Sequence, residues 1–178
     1  RSPIDAYGML KSAVRCNDPV IVIEHERMYN MKEEMPDNEF FRPLEGAEIV
    51  RRGTDITLIG YNWSVHLCLD AAKRLEKDGI SAEVIDLRAL KPIDRETIRR
   101  SVEKTHRVLV AEEDEAANGV GSEIISIVIE ECFFALDAQP VRIHAADVPV
   151  PYAENLEKAA IPNVEDVYKG ALKVMGRI

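Results

Sequence analysis

The sequence lacks the long apolar run that a membrane-spanning helix requires. A span takes about 20 consecutive apolar residues, whereas the longest runs here, such as Val20-Ile21-Val22-Ile23, have the length of a strand. Basic residues are never concentrated either, since the net charge is −9 and no basic cluster is longer than Arg51-Arg52 or Arg99-Arg100. Nucleic-acid binding needs a concentrated basic face. The sequence therefore predicts neither a membrane span nor a nucleic-acid partner.

Cysteine is scarce as well. The three cysteines, Cys16, Cys68 and Cys132, are far apart and have no metal-ligand spacing. A disulfide-stabilised secreted domain would have an even, regularly spaced set. We interpret all three as small apolar side chains in a reducing compartment. No signal peptide is present, but the chain starts at Arg1 without an initiating Met, so this does not indicate its destination.

A glycine-rich phosphate loop is also missing. Gly119-Val120-Gly121 opens a predicted helix, but it follows the acidic residues 112–115 rather than a strand end. The acidic residues before the helix would repel a phosphate. The two glycines are better explained by tight packing at a helix start. The four histidines are isolated from one another, and His25, flanked by two glutamates, is the best candidate for a titrating group. The residues alone predict no self-contained catalytic constellation.

From residue 48 onward, short β-branched runs alternate with amphipathic segments. Strands are predicted at 56–60, 82–87, 108–111 and 141–143, and helices at 64–77, from Asp94, at 121–133 and at 164–175. Strands that alternate with helices of this length indicate βαβ units with right-handed crossovers. We therefore predict an α/β fold, a three-layer αβα sandwich around a mostly parallel sheet.

The residues before this region have a different pattern. Helical spacing predicts a helix over residues 4–15, and the apolar run 20–24 predicts a strand buried on both faces. Residues 29–46 are polar, lack periodicity and are interrupted by prolines, which indicates a linker. Near the other end, Pro149, Pro151 and Pro162 predict an ordered, extended surface segment that leads into the last helix.

The segment Asp147-Val148-Pro149-Val150-Pro151-Tyr152-Ala153 resembles the C-terminal region of the β subunits of the pyruvate dehydrogenase first component, a thiamine-diphosphate-dependent decarboxylase. Further matches in family order are Pro19-Val20 through Glu24-His25-Glu26, Glu83 through Arg88, and Gly119 through Ile124. The resemblance implies that residues 1–28 end a pyrimidine-binding domain, 29–46 form a linker, and 47–178 form a transketolase-type C-terminal domain.

By this resemblance, the chain would be part of an α2β2 heterotetramer that decarboxylates pyruvate oxidatively and transfers the acetyl group to lipoyl-lysine. Thiamine diphosphate and magnesium would lie at the interface with the α subunit, and the catalytic glutamate would lie upstream of Arg1. We therefore expect no catalytic or cofactor-binding residue in this chain, and no activity from it alone.

The resemblance also implies two binding sites. Ala13, Val14, Cys16 and Asp18 match a turn that holds potassium, mainly through backbone carbonyls, although the family more often has an acidic residue and an asparagine in place of Cys16 and Asp18. Asp137 and the terminal carboxylate of Ile178 match positions that dock the subunit-binding domain of the dihydrolipoyl acyltransferase core.

Three alternatives follow from shared architecture. β subunits of branched-chain 2-oxoacid and acetoin dehydrogenases have the same domains, although the Val-Pro-x-Pro-Tyr-Ala motif favours the pyruvate enzyme. A non-catalytic module that docks an acyltransferase scaffold belongs to a different functional class.

The expected location is the mitochondrial matrix for a eukaryotic protein and the cytoplasm for a bacterial one.

Overall fold

The computed structural model describes residues 1–178 and contains one five-stranded sheet. The strands are β1 (Glu48–Arg51), β2 (Ile56–Gly60), β3 (Ala82–Asp86), β4 (Val108–Glu115) and β5 (Val141–Ala145). Their order across the sheet is β1-β3-β2-β4-β5. Strands β2 to β5 are parallel, and β1 pairs with β3 in the antiparallel sense at one edge. The predicted mostly parallel sheet is confirmed.

The chain has six α-helices, and four of them cover the two faces of this sheet. The helices are α1 (Pro3–Arg15), α2 (Ser64–Lys77), α3 (Arg95–Thr105), α4 (Val120–Cys132), α5 (Glu154–Ala160) and α6 (Val164–Val174). Helices α2 and α6 pack on one face, and α3 and α4 pack on the other. The three-layer αβα sandwich is thus confirmed. No helix is both long and apolar enough to cross a bilayer.

The apolar core has two parts, one on each face of the sheet. On β2, Leu58 points toward α2 and α6, whereas Ile59 points toward α3 and α4. Leu109 and Val110 on β4 are divided between the two faces in the same way. Successive strand residues point to opposite faces, and both faces here are covered. This is why these strands consist of continuous apolar runs.

The prediction of a strand at residues 20–24 is wrong. This segment has no regular secondary structure and pairs with no strand, and the side chains of Ile21 and Ile23 are 87% and 61% exposed. The apolar run correctly indicates a sequence suited to burial. A strand also needs hydrogen-bonding neighbours, and none of the five strands of this chain lies beside it.

Two elements were not predicted. Strand β1 is a half-buried edge strand with one apolar pair, Ile49 and Val50, between charged residues, so it has neither clear alternation nor a long apolar run. Helix α5 is short and lies between the prolines at 151 and 162, which obscure its periodicity. Strand β4 is also longer than expected, because it continues through the acidic residues to Glu115.

Candidate functional site

The strand order reverses at β2, which has β3 on one side and β4 on the other. In open parallel sheets, ligands bind in the crevice beyond the carboxyl ends of the strands at such a point. The residues that follow β2 are Tyr61, Asn62 and Trp63, and β4 ends in the acidic residues 112–115. This end of the sheet is therefore the first place to look for a functional site.

Side chains from the N-terminal part of the chain occupy this crevice. The His25 Nε2 atom lies 2.6 Å from Oε2 of Glu113. Nδ1 of His25 accepts the backbone N–H of Arg27 at 3.2 Å, so Nε2 carries the hydrogen that is donated to Glu113. The imidazole also stacks on the indole of Trp63, with a centroid distance of 6.0 Å. His25 thus contacts both Trp63, which follows β2, and Glu113, which lies in the acidic run of β4.

Glu112 is fully buried beneath the start of α4. Its Oε2 atom accepts the backbone N–H of Gly121 at 2.7 Å and the hydroxyl of Tyr61 at 3.4 Å. Arg142 on β5 lies 3.6 Å from Oε1. The first N–H groups of a helix have no partner within the helix. Gly119, the N-cap residue of α4, has no side chain that could accept a hydrogen bond from these N–H groups. The Glu112 carboxylate accepts it instead, from the Gly121 N–H.

Glycine at positions 119 and 121 is a steric requirement of this carboxylate. A Cβ atom at Gly119 would lie 2.8 Å from both Glu112 carboxylate oxygens, and one at Gly121 would lie 2.3 Å from Oε1. The packing interpretation of these glycines is confirmed. The contact of Glu112 with the start of α4 was not predicted from the sequence, although a glutamate at a strand end before a glycine-rich helix start was the available signal.

Burial also changes the acidity of this cluster. Burial raises the pKa of the Glu112 carboxyl, and the charge of Asp114 adds to this effect, whereas the Gly121 N–H and Arg142 oppose it. Burial, followed by the charges of Asp114 and Glu112, raises the pKa of Tyr61. The phenol therefore stays protonated and donates to Oδ2 of Asp114 at 3.1 Å. Tyr61 can act here as a donor but not as a base.

A second charged cluster joins α1 to the end of β3. The carboxylates of Asp5 and Asp86 are both almost completely buried. Arg1 lies 3.3 Å from Asp86 and 3.5 Å from Asp5, and Arg42 lies 3.5 Å from the other oxygen of Asp5. Burial raises the pKa of Asp86. The Arg1–Asp86 pair attaches residues 1–46 to the carboxyl end of the sheet, as His25 does at β4, and the two pairs of Asp5 hold Arg1 and Arg42 against α1.

The rest of the acidic run faces a shallow cavity of about 330 Å³ between the β4–α4 loop and the proline-containing segment. A hydrogen bond to the Asp147 carboxyl raises the pKa of Glu115. The structure brings no group of three or more His, Cys, Asp or Glu side chains into an arrangement that could hold a metal ion.

The residues expected from the sequence lie elsewhere. Ala13, Val14, Cys16 and Asp18 surround the end of α1, where the Cys16 N–H donates to the Ala13 carbonyl at 3.2 Å. Asp137 lies in the loop before β5, is 54% exposed and forms an ion pair with Arg107 at 3.1 Å.

The other expected docking residue, Ile178, is 72% exposed beyond the end of α6. No hydrogen bond or ion pair joins Asp137 to Ile178 in this structure.

Comparison with known proteins identifies the domain. The family model of the transketolase C-terminal domain matches residues 45–167. The chain is 46% identical over 177 residues to the mitochondrial pyruvate dehydrogenase E1 component subunit beta of Pisum sativum. The matched region covers 97% of this chain and 49% of that protein. The corresponding protein of Dictyostelium discoideum is 43% identical over 180 residues, covering 99% and 51%.

Solved structures agree with this result. A chain described as a split gene transketolase, inactive beta4 tetramer, superposes with a TM-score of 0.67 at 29% identity, covering 84% of this chain and 47% of that one. The present chain spans about half the length of the curated relatives it matches.

Glu112→Gln is expected to alter how the free energy of unfolding depends on pH. The raised pKa means that the folded chain binds this proton more tightly than the unfolded chain does. The contribution of Glu112 protonation to the stability of the folded state is therefore complete below the unfolded pKa of about 4.3. It is lost as the pH rises through the folded pKa. Glutamine cannot ionise and so lacks this loss. Urea denaturation should show the wild-type chain losing stability relative to E112Q as the pH increases.

The matched control for this experiment is Glu123→Gln, which removes the same charge at an exposed position of α4. A wild-type-minus-E112Q difference that does not change with pH, or that changes in the opposite direction, would contradict the assignment.

Proposed function

Because the chain belongs to the transketolase C-terminal domain family, we propose that it is the C-terminal portion of a pyruvate dehydrogenase first-component β subunit. The carrying observation is identity of 43–46% with such subunits over at least 93% of the chain. The complete enzyme would catalyse the oxidative decarboxylation of pyruvate with acetyl transfer to lipoyl-lysine. The role of this portion would be subunit assembly and docking to the acyltransferase core.

The residues of this chain do not fit the diphosphate group of thiamine diphosphate. The crevice at the strand ends is lined by Glu112, Glu113 and Asp114, and His25 already occupies it. Carboxylates repel a diphosphate, and no glycine-rich loop offers a row of free backbone N–H groups. The cofactor would therefore be held by the upstream half of the subunit and by the α subunit, and no catalytic step is assigned to residues of this chain.

The domain organisation follows from this proposal. Residues 1–28 would end the pyrimidine-binding domain, 29–46 would link the domains, and 47–178 would form the C-terminal domain. The exposed apolar side chains of Val20, Ile21 and Ile23 support this division, because an upstream sheet would supply the strand partners that they lack here. The family match, which begins at residue 45, is consistent with a boundary in this region.

The partner and location follow from the relatives. An α subunit would complete an α2β2 heterotetramer and would supply the diphosphate and magnesium contacts. The names of the relatives from Pisum sativum, Oryza sativa and Dictyostelium discoideum include the word mitochondrial, which supports a mitochondrial matrix location.

The chain alone should not turn over pyruvate, whereas the complete β subunit with its α subunit should. The assay is reduction of an artificial electron acceptor with pyruvate, thiamine diphosphate and magnesium. A branched-chain 2-oxoacid serves as the competing substrate, and pyruvate should have the higher kcat/KM. Turnover by the chain alone would contradict the assembly role, and a preference for the branched-chain substrate would contradict the pyruvate assignment.

A potassium ion at the end of α1 would be bound through the carbonyls of Ala13, Val14, Cys16 and Asp18. The carbonyls of the last three accept no hydrogen bond in this structure, so they remain available to a cation, which carbonyl oxygens can bind in place of its water shell. A ligand that binds only the folded state raises its stability. The Tm should therefore be higher in potassium chloride than in choline chloride of equal ionic strength. Equal Tm values in the two salts would exclude the site.

Asp137 and the Ile178 carboxylate would meet basic residues of the acyltransferase subunit-binding domain. Both positions are exposed, and the chain carries a net charge of −9. In the complete heterotetramer, Asp137→Asn should weaken binding by roughly threefold, as expected for an exposed ion pair, and should reduce its salt dependence. Asp37→Asn removes the same charge from the exposed linker and is the control. Equal affinities of the two variants in surface plasmon resonance would contradict this site.

A further inference from the structure

A tight turn at residues 116–119 joins β4 to α4. It contains Asn118, which is followed directly by Gly119. The backbone of Asn118 has a φ of +64°, in the left-handed region that asparagine enters more readily than most residues with a side chain. Asn118 is exposed, whereas Gly119 is buried against Glu112. The amide of Asn118 therefore lies at the outer surface of a sharp bend.

An asparagine that precedes a glycine is chemically labile. The backbone nitrogen of the following residue can attack Cγ of the asparagine side chain, and a Cβ atom on that residue hinders the approach. Glycine has no Cβ atom. The other asparagines of the chain are each followed by a residue with a side chain, and they are Asn17, Asn30, Asn38, Asn62, Asn155 and Asn163. Asn118 is therefore the asparagine with the unhindered neighbour.

The attacking nitrogen is also available. Helix α4 begins at Val120, and the N–H of Gly119 donates to no backbone carbonyl. This is expected at a helix start, where the first N–H groups have no partner within the helix. The Glu112 carboxylate accepts the N–H of Gly121 and not that of Gly119. No hydrogen bond of this helix start has to break before the Gly119 nitrogen reacts.

We propose that Asn118–Gly119 is a self-modification site, at which the Asn118 amide is lost through a succinimide. The Gly119 nitrogen forms a bond to Cγ of Asn118 and gives up its proton. The bond from Cγ to Nδ2 breaks, and the amide nitrogen leaves with that proton as ammonia. Water then opens the ring. Neither an enzyme nor another subunit takes part, so the reaction is independent of the proposed function.

The ring opens in two ways. Attack of water at Cγ gives aspartate with the original main chain. Attack at the backbone carbonyl carbon gives isoaspartate, in which the main chain runs through the former side chain and is one atom longer. Each product carries one more negative charge than asparagine.

Isoaspartate lengthens the main chain in a turn that is held at both ends. At one end, a Cβ atom on Gly119 would lie 2.8 Å from both carboxylate oxygens of Glu112, which leaves no space beneath the backbone. At the other end, the Ala116 carbonyl accepts the Arg142 guanidinium at 2.9 Å and the Ser122 hydroxyl at 3.4 Å. An extra main-chain atom should therefore weaken these contacts and destabilise the start of α4.

The aspartate product changes only the charge. Its carboxylate would lie beside the cavity that Asp114 and Glu115 also line, where like charges repel it. The start of α4 has the opposite effect, because a helix N-terminus favours a negative charge. The two effects oppose each other, so we expect aspartate at this position to alter stability little.

Ageing the folded 178-residue chain at mildly alkaline pH tests the proposal, because a higher pH makes removal of the Gly119 N–H proton easier. Peptide mass spectrometry should find the amide lost at Asn118 before any other asparagine. An isoaspartate-specific methyltransferase should label the same peptide. Asn118→Gly keeps the left-handed backbone and has no amide, so it should give neither signal. Asn163, which caps α6, is the internal reference in the same digest.

Thermal unfolding of fractions separated by ion exchange distinguishes the two products. The isoaspartate fraction should have a Tm lower by roughly 2–10 °C, as expected for strain in a packed region of a chain of this size. Asn118→Asp supplies the aspartate product with a normal main chain. Its Tm should remain within roughly 2 °C of the wild-type value.

Three results would overturn the proposal. The first is an Asn118 amide that persists in the folded chain while the chain unfolded in urea loses it, since the fold would then protect the site. The second is acidic species that form as quickly in Asn118→Gly as in the wild-type chain. The third is an isoaspartate fraction whose Tm equals that of Asn118→Asp, which would contradict the predicted effect on α4.

Discussion

Burial of the central strands on both faces is the constraint on which the rest of this fold depends. Every residue of β2 and of β3 is buried. Such strands require one layer of helices on each side, and right-handed crossovers then place α2 on one face and α3 on the other. The reversal of strand order at β2 is a direct consequence. The end of the sheet at which a ligand crevice could form is therefore determined by the same burial that stabilises the core.

Burial on both faces also restricts the polar groups that the sheet can contain. Glu83 lies in the middle of β3 with no solvent exposure. Ser101 donates to one of its oxygens at 2.6 Å, and Lys104 forms an ion pair with the other. A buried carboxylate without such partners would be strongly destabilising. Helix α3 therefore has a specific register on the sheet, because it carries both of the groups that Glu83 requires.

Sequence reasoning predicts this fold well wherever burial and periodicity coincide. The limits of α2 and α6 differ from the structure by at most one residue, because each helix has a single apolar side against a covered sheet. It is wrong for residues 20–24, because an apolar run indicates burial without identifying the partner that provides it.

The contacts of the crevice were missed for a related reason. His25 and Glu113 are 88 positions apart, and Arg1 and Asp86 are similarly distant along the chain. Such pairings produce no local pattern in a single sequence. The site residues at the end of α1 and at Asp137 came only from the resemblance, since neither turn contains a residue pattern that indicates a ligand.

The acidic end of β4 explains how this crevice joins separate parts of the chain. Its four carboxylates contact different parts of the chain, although Tyr61 donates to both Glu112 and Asp114. Glu112 binds the start of α4, Glu113 binds His25, Asp114 binds Tyr61, and Glu115 binds Asp147. Successive strand residues point to opposite sides, so the four carboxylates are divided between the two sides of the strand. The acidic run connects α4, the N-terminal segment, the end of β2 and the proline-containing segment to one strand. The end of β4 is therefore the point at which four separate parts of the chain are held together.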